Sequence, residues 1–279
     1  MSASVHLHDP QALYRHWEHE QWNPWAVDLE ADKAQWQGAL AGQDKGLVYW
    51  ALSSLMVAEE RITTKFAGLV MAAESEEEAT YLASQQVDEA RHMQFYARFQ
   101  DEVIDEPATI SAHITRSREQ LGPSFAVIFD QALVEAHERL AVNPSDLGAK
   151  VDFVTTYHLV IEATLGLTAF EFITRYLRTN ELLPGFVEGY SRIHHDEQRH
   201  IGYGIWFLRR AAGDAGLAER IRAKLHELLP AVANALAPPD QESTDWEALG
   251  ATSEEIRQFA LDGLTRRLNI IGVPLTAAG

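Results

Sequence analysis

Residues 88–92 read Asp-Glu-Ala-Arg-His, and residues 196–200 read Asp-Glu-Gln-Arg-His. Four of the five positions coincide, and each copy lies in a stretch whose apolar residues recur at the helical period. Glu89 and His92 stand three apart, as do Glu197 and His200, so each pair projects from one face of its helix. Two helices each offering a carboxylate and an imidazole on the same face are the start of a metal site.

Outward from these words the chain reads as long helical segments with few breaks. Segments over residues 44–73, 75–103, 147–178 and 184–212 are expected to form a four-helix core, with another over 124–141. Ser75 followed by Glu76, Glu77 and Glu78 is a helix start, with a hydroxyl cap and acids in the first turn. Two shorter helices are expected over 218–236 and 253–268, separated by the turn signal Pro238-Pro239-Asp240. The first forty residues carry Trp17, Trp22, Trp25 and Trp36 and predict an arm packed across the bundle. No low-complexity linker divides the chain, so a single all-α domain spanning 1–279 is expected.

A carboxylate and an imidazole from each of two helices, completed by one Glu from each of two others, is the ligand set of dinuclear carboxylate bundles. The apolar row Leu52, Met56, Ile62, Phe66 contains Glu59, whereas Glu60 falls about 100° away on a more polar row. Glu59 is therefore the candidate. In the fourth segment Glu162 sits beside Val154, Ile161, Leu165 and Phe172, where an unpaired carboxylate would be costly to bury. The proposed ligands are then Glu59, Glu89, His92, Glu162, Glu197 and His200. Oxygen donors with one nitrogen per metal suit iron or manganese, and the absence of cysteine removes thiolate sites. Asp88 and Asp196 are placed to orient the histidine of the opposite helix, because metal-bound imidazoles usually give their other N–H to a carboxylate.

Composition narrows the alternatives. The net charge of −18, from 41 acidic and 23 basic residues, and the lack of a basic run disfavour a phosphate-tracking surface and hence nucleic-acid binding. No uninterrupted run of apolar residues is long enough to suggest a membrane span, and residues 1–10 have neither a basic nor an apolar leader region, so a cytoplasmic location is the expectation.

The order E, ExxH, E, ExxH resembles the ferritin-like superfamily, and within it the ribonucleotide reductase small subunit and its relatives. The closest likeness is to their ligand-binding oxidases, carried by residues 58–63, 88–92, 156–162 and 196–200, with Trp22-Asn23-Pro24 also similar. This resemblance spans roughly residues 20–210 and implies a ferritin-like bundle, a homodimer, and a manganese–iron or di-iron centre that uses dioxygen. It also implies a long-chain fatty acid bound nearby and a two-electron oxidation joining a tyrosine oxygen to the β-carbon of a valine. The tyrosine position, five before the third glutamate, holds Tyr157; the valine position, three after the first, holds Ile62, which also offers a tertiary C–H. Tyr96, one turn beyond His92, stands where radical-forming subunits carry their tyrosine and the oxidases usually have phenylalanine. A radical generator using Tyr96 is thus the second reading, and non-catalytic metal storage the third. The small, neutral stretch 270–279 lacks the acidic, tyrosine-bearing tail of reductase subunits, which favours the oxidase.

Overall fold

A computed structural model describes residues 7–40, 42–104, 107–119, 121–236 and 250–274, and among these it is helical without strands. Helix α1 (Pro10–His19) starts on the Asp9 side chain, which accepts from the Ala12 N–H at 2.8 Å, with Pro10 in the first turn. A 3₁₀ turn at Pro24–Ala26 and a short α2 (Glu30–Ala34) complete the arm. The first core helix, α3 (Gly42–Lys65), breaks at Phe66 and resumes as α4 (Ala67–Met71). The second, α5 (Glu76–Glu102), starts where the sequence signalled, with Ser75 Oγ accepting from the Glu78 N–H at 3.2 Å.

A helix not anticipated, α6 (Ile110–Arg118), leads to α7 (Pro123–Phe125), which widens through Ala126–Ala132 before α8 (Leu133–Val142). The third core helix begins as α9 (Leu147–Val154), capped by Asp146, and continues past a wide stretch, Thr155–Gly166, into α10 (Leu167–Thr179). That middle stretch is a π-helix, in which hydrogen bonds close from i to i+5. The fourth, α11 (Pro184–Ala211), is followed by α12 (Ala215–Leu236) and α13 (Ser253–Ile271). The expected turn at Pro238-Pro239-Asp240 lies outside the described residues.

Helix α5 packs between α3 and α11, and the π-helical stretch lies against α11, α12 and α13. The buried apolar side chains form one cluster that includes all four core helices. The start of α11 cannot cap itself, because Leu183 precedes it in a left-handed conformation with no polar side chain. Asp32 of α2 supplies the cap from across the fold, accepting from the N–H groups of Gly185 at 2.8 Å and Phe186 at 2.7 Å. This approach needs glycine: a Cβ at Gly185 would meet the Asp28 carbonyl at 2.2 Å.

Two tryptophans fix the arm to the bundle. Trp17 Nε1 donates to Asp88 at 2.9 Å and Trp22 Nε1 to Asp196 at 2.8 Å, while Trp25 stays exposed. By length and composition Leu147–Thr179 could cross a membrane, but most of its apolar window is buried inside the bundle.

Candidate metal centre

Glu59 from α3, Glu89 and His92 from α5, and Glu197 from α11 bring ligand atoms within 4.8 Å of one another. Glu89, Glu162, Glu197 and His200 do the same. The two groups share Glu89 and Glu197, so the arrangement is two adjoining sites with common carboxylates. The neighbouring Glu60 instead faces Arg61 at 3.8 Å and Arg118 at 3.5 Å, away from the centre.

Each histidine is held by the aspartate of the other repeat. His92 Nε2 lies 3.1 Å from Asp196 Oδ2, and His200 Nε2 lies 3.2 Å from Asp88 Oδ2. An ionised carboxylate only accepts, so Nε2 carries the proton and the Nδ1 lone pair turns to the centre. Asp88 also accepts from Arg91 at 2.6 Å and Arg199 at 3.3 Å, and Arg199 donates to Asp196 as well. Arg199 is buried, so it bridges the two aspartates within the fold, while Arg91 is only partly buried at its edge. Burial alone would raise the Asp196 pKa, but His92, Arg199 and the Trp22 N–H hold it well below the usual carboxylate range.

The residues fit a pair of cations. Oε2 of Glu59, Glu89, Glu162 and Glu197 and Nδ1 of His92 are buried without a hydrogen-bond partner, which is expensive unless another group completes them. Four carboxylates balance two divalent ions, and neutral imidazoles leave that balance intact.

Without cations the cluster is held together by protons. Burial pushes Glu59 and Glu162 well above the ordinary carboxylate range, reinforced by the neighbouring carboxylates. Burial opposes charge on His92 and His200 too, yet Glu59 and Asp196 for the first, and Glu89, Glu197 and Asp88 for the second, raise both. Groups with raised pKa keep their protons to higher pH, and an entering cation has to displace them. Metal affinity is therefore expected to rise with pH, by roughly tenfold per pH unit for each proton displaced. Titrations between about pH 6 and about pH 8 check this, and an affinity independent of pH contradicts it.

The other anticipated residues lie close by. The Tyr157 hydroxyl donates to Glu89 and accepts from Gln85 Nε2 at 3.0 Å, and its ring packs edge-on against Phe66. Burial and the charges of Glu162 and Glu89 raise its pKa well above the usual phenol value, so it remains a proton donor. Ile62 lines an apolar cavity of about 170 Å³ that opens from Glu59, Glu162 and Glu197. Tyr96 is buried among Phe95, Phe186 and Tyr190, and its hydroxyl meets no protein partner.

Gln85 escaped the sequence reading. It lies one turn before Glu89 and reaches Tyr157, His158 at 3.2 Å and Glu162 at 3.5 Å. Its signal was a polar residue on the inward row of α5.

The fold and site define a helical protein with a carboxylate–histidine centre for two metals. The chain belongs to the ribonucleotide reductase small chain family, whose model matches residues 4–273. Among solved structures, a valine-to-isoleucine variant of an R2-like ligand-binding oxidase with anaerobically reconstituted Mn/Fe cofactor aligns with a TM-score of 0.82 at 23% identity, covering 95% of this chain and 94% of that one. A glycine-to-phenylalanine variant with aerobically reconstituted Mn/Fe cofactor aligns at 0.82 and 22% identity, covering 94% and 97%. At these identities the likeness speaks to the shared fold.

Proposed function

We propose that this protein is a dinuclear oxidase that holds Mn/Fe or Fe/Fe and uses dioxygen for two-electron oxidation of a bound apolar ligand or of its own Tyr157 and Ile62. The observation that carries the reading is the pair of ligand clusters sharing Glu89 and Glu197 at the floor of an apolar cavity. Glu59 and His92 with the shared Glu89 and Glu197 would hold one ion, and Glu162 and His200 with the same two carboxylates the other. The bound pair supplies the electrons that dioxygen must receive to react with a C–H or O–H bond.

The chain's own residues set where that reaction falls. Asp88 and Asp196 fix the imidazoles before any ion arrives, so little reorganisation is needed. Tyr157 stands one hydrogen bond from Glu89, which positions its phenolic proton for transfer to that carboxylate. Ile62 on the cavity wall offers the tertiary C–H. Among the described residues no Lys, Arg or His lines the cavity, so an acidic ligand such as a long-chain fatty acid would find its neutralising charge only at the metals.

The test combines metal quantification with intact mass after aerobic and anaerobic loading. Two metals per chain, with loss of two hydrogens on exposure to air that disappears in Tyr157→Phe, supports self-oxidation at that pair. A gain of one oxygen on a ligand supports ligand oxidation. Stable mass and unaltered ligand, with no oxygen uptake, would sink the oxidase reading. Family membership also supports a radical generator, for which Tyr96 is the candidate. Its hydroxyl has no protein group to take the proton, which weakens that assignment.

A further inference from the structure

Helix α11 also contributes Tyr203 to a second polar cluster that contains none of the metal ligands. Lys150 is buried and lies 3.0 Å and 3.1 Å from the two oxygens of Glu78, and 3.1 Å from Glu74. Glu78, equally buried, accepts from the Tyr203 hydroxyl at 2.6 Å. The Tyr203 ring lies 5.2 Å from the His158 ring, which in turn lies 4.4 Å from Tyr157 beside the centre. On its other side Tyr203 lies 5.9 Å from half-buried Trp206, whose ring carries the Arg210 guanidinium at 4.5 Å. The packing is specific: a Cβ at Gly204 would sit 2.3 Å from His158 Cβ, so only glycine lets α11 come this close.

We propose that Tyr203 is a redox-active side chain that returns an electron to the oxidised dinuclear centre through His158 and Tyr157 when no ligand is consumed. The inference rests on the oxidase reading above. An oxidised phenol is strongly acidic and must lose its proton to a group within hydrogen-bond reach. Of the buried tyrosines near the centre, Tyr81, Tyr96 and Tyr190 have hydroxyls without a protein partner and Tyr157 donates to the metal ligand Glu89, whereas Tyr203 faces a carboxylate outside the ligand set. In the step, Tyr203 gives one electron toward the centre and its phenolic proton to Glu78, leaving a neutral tyrosyl radical beside a neutral carboxylic acid. Lys150 stays paired through Glu74 while Glu78 is protonated, so no lone ammonium is left buried. A small one-electron reductant such as ascorbate, reaching Trp206, restores the phenol as the proton returns from Glu78.

The experiment loads the full-length protein with ferrous iron, exposes it to oxygen, and records metal content, oxygen uptake and freeze-quench electron paramagnetic resonance. Ring-deuterated tyrosine identifies a tyrosyl signal. That signal is expected in the wild type and in Tyr96→Phe, and is lost in both Tyr203→Phe and Glu78→Gln with metal content retained. Trp206→Phe is expected to keep the signal and lengthen its lifetime in ascorbate. Persistence of the signal in Tyr203→Phe, or oxygen uptake by the wild type without any tyrosyl signal, overturns the proposal while leaving the oxidase reading in place. Absence of oxygen uptake by metal-loaded wild type overturns both.

Discussion

Glu197→Ala and Glu89→Ala are each expected to leave the protein unable to retain either metal ion, while Glu59→Ala and Glu162→Ala each leave one. The asymmetry follows from the geometry: Glu89 and Glu197 belong to both ligand clusters, and Glu59 and Glu162 to one each. Replacing partners that merely orient a ligand already costs roughly 10–100-fold in affinity, so loss of a shared carboxylate is expected to cost more than about 100-fold for both ions. It also removes one of the negative charges that balance the pair. Metal per chain after dialysis reads the difference directly. Equal stoichiometry in all four variants would refute sharing and point to two independent sites.

Lys150→Met is expected to be the most damaging substitution away from the centre, by about 3–5 kcal/mol, the usual cost of breaking a buried ion pair from one side. Methionine is close to lysine in length but loses the ammonium that sits 4.8 Å from the Phe207 ring centre and leaves Glu78 buried with its charge unmet. Adding Glu78→Gln to the same chain removes the orphaned charge and is expected to recover part of the loss. Denaturant unfolding of the metal-free protein checks both variants. A shift below about 1 kcal/mol would place Lys150 among ordinary surface pairs.

Much of the centre was legible because its logic is local. Spacing put Glu89 with His92 and Glu197 with His200, and the apolar row separated Glu59 from Glu60. The helix start at Ser75 was equally readable, since its cap is a neighbouring residue, whereas the cap of the helix at Pro184 comes from the distant Asp32. What stayed hidden depends on distant or backbone geometry. The π-helical stretch Thr155–Gly166 is a change in hydrogen-bond register, and its buried residues on every side erase the 3.6-residue pattern. Glu162 lies in that stretch, so its apolar row described only an approximate direction. The partners of Trp17 and Trp22 lie 71 and 174 residues away, and no local pattern names them. The cavity likewise takes walls from five separated regions of the chain.

The exchange of partners between the two repeats has a consequence for the order of events in folding. The His92–Asp196 and His200–Asp88 contacts close loops of 104 and 112 residues. Contacts so distant along the chain cost loop entropy before they return any stabilisation, so they form once the helices have docked. A zinc finger gathers its chain around the ion; here the packed helices come first and the cation enters a finished socket. Chelation should therefore empty the protein without melting it, and metal delivered after synthesis should serve as well as metal present throughout.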